Sequence, residues 1–181
     1  MILITRPIET AKKLQSQFNE AGIQSFIESL TSIKISDRKI NLQNCIYLIT
    51  SQYAVKYLQN ENNLSNQIEF ITIGQATSNK LKKLGAKKII YTAENSDQLL
   101  KYFKKNKIKK KITYLCGSNK NKLFIQNLKK LHRSVLIRQV YEVVSLKTLS
   151  KKLITKLKKK KINTFFIFSL NNAKLFLKLC K

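Results

Sequence analysis

The chain has 181 residues, 43% of them hydrophobic, enough for one domain or two small ones with a buried core. Its formal net charge of +27 is built almost wholly from lysine, with only four arginines, Arg6, Arg38, Arg133 and Arg138. One histidine, His132, excludes a catalytic triad or a multi-histidine metal site, and Cys45, Cys116 and Cys180 are too scattered for a zinc site or a disulfide framework. No apolar run approaches membrane-spanning length, and MILITRP lacks the build of a signal peptide, so a soluble protein of a reducing cytoplasm is expected.

In chain order, Ile2–Thr5 predicts a buried strand, Pro7 a turn, and Thr10 the N-cap of a helix with Ala11, Leu14, Phe18 and Ala21 at helical spacing, ended by Gly22. Ile23–Ile27 resumes as a strand and Ile33–Ile35 as a short extended piece, followed by a polar stretch from Ser36 to Asn44. Strand Ile46–Ile49 leads to Thr50 and Ser51, which cap a helix with Ala54, Val55 and Leu58 inward. Phe70–Ile73, Gly74, Thr77 as a capping hydroxyl, a helix carrying Leu81 and Leu84, Gly85 and strand Ile89–Tyr91 then make one β-α-β unit of an open parallel sheet. At the strand's carboxyl edge such a unit favours a negatively charged ligand.

Ser96 is positioned to cap the helix of Leu99, Leu100 and Phe103. Strand Ile112–Leu115 is broken by Gly117, a helical stripe follows at Leu123, Phe124, Leu128 and Leu131, and an extended stretch runs from Val135 to Val144. Thr148 is expected to cap a helix with Leu149, Leu153 and Leu157, before strand Phe165–Phe168, Ser169 and the helix Asn172–Leu179. Alternating strand and helix argue for an α/β fold.

Residues 46–58, IYLITSQYAVKYL, echo residues 165–177, FFIFSLNNAKLFL, with Ser51 matching Ser169 at an offset of 118. Two halves of similar build follow. On that offset the second half has no counterpart of the glycine unit at 68–103, so the chain is expected to be shortened at its C-terminus. The lysine runs at 104–111 and 151–161 read as solvated helix faces or as a basic patch; either attracts polyanions. No Walker loop or dinucleotide G-x-G-x-x-G occurs.

The ordered pieces LITRP at 3–7, ITS at 49–51, IGQAT at 73–77, LGAKKI at 84–89, LCGSNK at 115–120, VYEV at 140–143 and FIFS at 166–169 resemble the uroporphyrinogen-III synthase family across the whole chain. The resemblance implies two small parallel-sheet α/β domains joined by two extended connectors. Residues 1–33 and 146–181 would form a discontinuous, incomplete first domain, and 37–140 the second. The connectors would lie at about 33–36 and 139–145, with the active site in the cleft. The implied reaction is cyclisation of hydroxymethylbilane to uroporphyrinogen III, with loss of water and inversion of the last pyrrole ring, in haem biosynthesis, with no cofactor and no metal.

The implied partner is the tetrapyrrole substrate, handed on by hydroxymethylbilane synthase; its eight carboxylates call for helix N-termini, hydroxyls and basic groups. Tyr141 matches the family's tyrosine and is the implied proton donor at the leaving hydroxyl; read alone, it is an ordinary amphipathic-strand tyrosine. Arg6, Ser51, Thr77, Gly117 and Ser169 are the implied substrate-binding residues. On their own, Ser51 and Thr77 read as helix caps, Arg6 as a turn arginine in solvent and Gly117 as a plain turn. Ser169 is followed by Leu170, where the family usually has proline. His132 is expected on the surface at a helix end. The rival readings are an inactive relative and a basic nucleic-acid-binding module, the latter disfavoured by the lack of arginines interleaved with aromatics.

Overall fold

The computed structural model describes residues 1–40, 42, 44–59, 64, 67–132 and 134–180. Asn41 and Gln43 of the expected polar stretch, and Arg133, lie outside the described residues. The elements are β1 (Ile2–Ile4), α1 (Ile8–Glu20), β2 (Ser25–Ile27), β3 (Thr31–Ile35), β4 (Ile46–Ile49), α2 (Gln52–Leu58), β5 (Glu69–Ile73) and α3 (Gln75–Lys83). They continue with β6 (Lys88–Ala93), α4 (Ser96–Asn106), β7 (Ile112–Gly117), α5 (Lys122–Leu131), β8 (Val135–Ser145), α6 (Lys151–Lys158), β9 (Thr164–Phe166) and α7 (Leu170–Leu179).

The chain divides into two compact units, Met1–Ile33 with Val143–Lys181, and Lys34–Glu142. In the first, β1 runs parallel to both β2 and β9, with the core formed by Leu3, Leu30, Leu153, Ile162 and Phe176. Phe18 of α1 meets Phe166 edge-on, ring centroids 5.3 Å apart. Strand β9 is an edge, and Phe165 and Phe166 stay 43% and 37% exposed there.

The second unit is built on the sheet of order β3-β8-β7-β4-β5-β6, in which β6, β5, β4, β7 and β8 are successively parallel. The apolar run Ile46–Ile49 explains why β4 sits inside: all four residues are buried, as a strand with helices on both faces requires. Tyr47 and Ile49 face a cluster with Ala54, Val55, Leu58 and Leu81, from α2 and α3. Ile46 and Leu48 face another with Leu99, Phe103, Phe124 and Leu128, from α4 and α5.

Four helix caps differ from expectation, and α7 starts two residues before the expected Asn172. Helix α1 begins after Pro7, whose ring presets the entry, and Thr10 lies inside it with its hydroxyl donating to the Pro7 carbonyl at 2.9 Å. Gly74, at φ +84°, turns the chain so sharply that α3 starts at Gln75, which leaves Thr77 in the first turn instead of at the cap. Asn95, not Ser96, caps α4 through a 3.0 Å bond from the Gln98 N–H, and Ser150, not Thr148, caps α6. On α5, Phe124 and Leu128 point inward, whereas Leu123 and Leu131 are exposed. His132 is buried, not on the surface: as α5 ends, its extended backbone turns the ring toward Phe103, centroids 6.5 Å apart.

Glu28 ties the two pieces of the first unit together. Its buried carboxylate accepts the Ser150 N–H at 2.7 Å and the Ser150 hydroxyl at 2.8 Å, while the same hydroxyl oxygen accepts the Leu153 N–H. The cap therefore depends on an acid 122 residues away. Removing the buried carboxylate leaves two part-buried Ser150 donors without their acceptor, so Glu28→Ala is expected to lower the unfolding free energy by about 2 kcal/mol in a denaturant titration. A loss below about 0.5 kcal/mol would contradict this role.

Candidate active site

In parallel α/β sheets, ligand groups collect at the carboxyl ends of the strands, where each chain turns into its helix. In the second unit three of the expected residues meet there. Ser51 follows β4 and caps α2, its Oγ accepting the Tyr53 N–H at 3.2 Å. Gly117 is the last residue of β7, so the expected break and turn is instead a strand end. Tyr141 lies opposite it on β8.

The register between β7 and β8 shifts at this point: Cys116 pairs with Gln139 but Gly117 with Tyr141, leaving Val140 as the extra residue of a bulge. A regular strand would alternate faces. Here Val140 is buried in the α2–α3 cluster and Tyr141 packs against that same cluster. The Ser118 N–H donates to the Tyr141 carbonyl at 3.1 Å and closes the pairing beyond the bulge. The Tyr141 ring rests over Gly117 and beside Tyr53, ring centroids 5.6 Å apart and planes at 55°.

The Tyr141 phenol lies near the Ser51 side chain. Burial pushes its ionisation above the usual phenol range, the Ser51 hydroxyl pulls it down, and Cys116 adds a smaller upward push. Tyr114 behaves alike: burial raises it, and its hydroxyl lies 3.0 Å from Thr50 Oγ1, which acts the other way. Successive residues of one turn thus each lie beside a phenol. The Cys116 thiol is likewise pushed up by burial, opposed by Lys120.

A cavity of about 520 Å³ adjoins Tyr141, lined also by Lys34, Ile35, Ser36, Asp37, Arg38, Gln139 and Glu142. A second, of about 480 Å³, shares Ser36, Arg38 and Gln139 and adds Lys39 and Arg138, so two of the four arginines line it. Sequence reasoning missed Arg38, Gln139, Tyr53 and Tyr114. The scarcity of arginine was the one available signal for Arg38; a bulge leaves no mark in composition or periodicity.

Thr77 is not brought into this group. It sits 5% exposed in the first turn of α3, its N–H bonded to the Gly74 carbonyl at 3.0 Å. In the first unit, Arg6 follows β1 with its guanidinium 4.3 Å above the Phe168 ring, a stacked cation rather than a free turn residue. Ser169 caps α7, accepting the Asn172 N–H at 3.1 Å. The matched serines Ser51 and Ser169 thus play the same part in the two halves.

The family model for uroporphyrinogen-III synthase HemD matches residues 12–181. Among solved structures, a mutant uroporphyrinogen III synthase from Thermus thermophilus superposes with a TM-score of 0.63 at 10% identity, covering 98% of this chain and 76% of the other. Uroporphyrinogen-III synthetase from Helicobacter pylori gives a TM-score of 0.61 at 15% identity, over 98% of this chain and 77% of the other. A search of curated proteins returned no match. At these identities the superpositions speak for the fold, whereas the family match spans nearly the whole sequence. The chain belongs to the uroporphyrinogen-III synthase (HemD) family, cyclising lyases that close hydroxymethylbilane in tetrapyrrole biosynthesis.

Proposed function

We propose that this chain directs closure of hydroxymethylbilane to uroporphyrinogen III, with loss of water and inversion of the last ring, and that Tyr141 protonates the departing hydroxyl. The observation that carries this reading is the half-buried Tyr141 ring seated over Gly117 at the carboxyl edge of the parallel sheet, beside an open cavity. When the terminal hydroxyl leaves as water, it takes the phenolic proton, and the substrate becomes a reactive azafulvene cation. The substituted carbon of the last ring then attacks to give a spiro intermediate, which fragments and recloses at the ring's free carbon, and the proton lost there restores the Tyr141 phenol. No step changes the overall oxidation level, so the chemistry calls for no cofactor.

Cation and free chain would also close unaided to the unrearranged isomer, so the main task is orientation. Ser51 and Thr77 in the second unit, and Arg6 and Ser169 in the first, are the residues this reading assigns to the substrate's carboxylates. Thr77, being buried, would act by shaping the turn whose backbone N–H groups meet an anion. The reading also takes the substrate as handed on by hydroxymethylbilane synthase, and the cytoplasm as the compartment. Three unpaired cysteines suit a reducing compartment, and among the described residues no helix is long and apolar enough to cross a membrane.

A phenol is a weak acid, usual pKa about 10, and burial weakens Tyr141 further. It therefore stays protonated throughout neutral pH and is available as a donor. Ser51 opposes the burial effect by donating to the phenolate, which eases proton release and stabilises what remains.

Two outcomes follow. In a spectrophotometric titration referenced to Tyr141→Phe, the Tyr141 phenol should ionise above pH 10, and Ser51→Ala should move it higher still; a downward move would remove the assigned hydrogen bond. Given fresh hydroxymethylbilane, Tyr141→Phe should form isomer III some 10²-fold or more slowly, with isomer I taking its place. An unchanged isomer III rate would end the donor assignment.

A further inference from the structure

Gly117 is not glycine for the sake of its backbone. It is an ordinary strand residue, whereas Gly22, Gly74 and Gly85 are the glycines with positive φ. What it provides is space. A β-carbon built there would fall 2.5 Å from Cζ and 2.9 Å from the hydroxyl oxygen of Tyr141. Carbon atoms do not approach so closely, so a side chain at 117 forces a displacement. The group that moves is the outer end of a rotatable side chain, not a backbone, and it is the phenol itself.

The bulge provides the other half. By inserting Val140, it turns Tyr141 to the face where Gly117 is bare, and the Ser118 N–H fixes the Tyr141 carbonyl there. Tyr53 borders the ring, and Ser51 lies near its hydroxyl. We propose that Gly117 is a positioning residue for the cyclisation: with the bulge at Val140 it forms a recess that seats the Tyr141 phenol beside Tyr53. The role differs from a glycine that lets substrate approach the backbone, because Gly117 then acts only through Tyr141. It rests on the reading of Tyr141 as proton donor.

The test is a cycle of Gly117→Ala, Tyr141→Phe and the double variant, assayed for isomer III formation from hydroxymethylbilane. Gly117→Ala should lower kcat on the order of 10²-fold with KM nearly unchanged, since a displacement of about 1 Å at a reacting group suffices for such a loss. Its melting temperature should stay close to the parent's, because alanine suits a strand at least as well as glycine. In the Tyr141→Phe background the same substitution should cost nothing further. Full activity of Gly117→Ala, or additive losses in the double variant, would overturn the proposal.

Fluorotyrosine labelling separates this inference from the donor reading. The ¹⁹F resonance absent from Tyr141→Phe should shift in Gly117→Ala and titrate at lower pH as the ring leaves its buried seat. An unmoved resonance overturns the recess; a shifted resonance together with a fully active Tyr141→Phe keeps the recess and discards the donor. Should Gly117→Ala fail to fold, Gly117→Ala/Tyr141→Leu should fold if the ring is the obstacle. If that pair also stays unfolded, the recess is wrong.

Discussion

The contact between the Tyr141 ring and the bare α-carbon of Gly117 is the constraint around which the candidate site is arranged. It requires β7 and β8 to run side by side, a single extra residue in one of them, and no side chain at the facing position of the other. Given those conditions, the ring lies against Tyr53 with its hydroxyl near Ser51, the residue that caps α2. One serine thereby places the start of a helix beside the phenol. The neighbouring Thr50 pairs with Tyr114, their hydroxyls 3.0 Å apart, so the short turn after β4 places two hydroxyls beside two phenols.

Electrostatics set the wider context. The chain carries +27 charges, and from Val143 onward no acidic residue occurs at all. So large a net positive charge attracts a polycarboxylate substrate, which raises encounter rates more than it defines a pose. The pose needs directional groups. Arginine, with its planar fork, is better suited to this than lysine, and two of the four arginines line the same cavity beside Tyr141's neighbours on β8.

Much of the fold was legible because burial dictates pattern. The run Ile46–Ile49 could only be an interior strand, and Ala54, Val55 and Leu58 could only face it. Glycines marked helix ends, and the echo between 46–58 and 165–177 located both serine caps. Helix starts were harder to read, because several residues near each start can cap it and the choice is made elsewhere. Ser150 caps α6 since Glu28 is there to bind it, and Asn95 precedes Ser96 at α4. His132 was misread for a related reason: a helix end looks exposed until α4 packs against it.

From the amino-acid order alone came the alternation of strands and helices, the basic charge, the duplicated strand-serine-helix piece and the tyrosine on the extended stretch before Val144. All of these follow from local periodicity or counting, which the chain carries in itself. Folding in three dimensions settled which face of β8 Tyr141 occupies, that Gly117 lies beneath it rather than in a turn, and that Arg6 stacks on Phe168. Those outcomes depend on strand register and on partners distant in sequence, and a one-residue shift in register reverses a side chain's face without altering any local pattern.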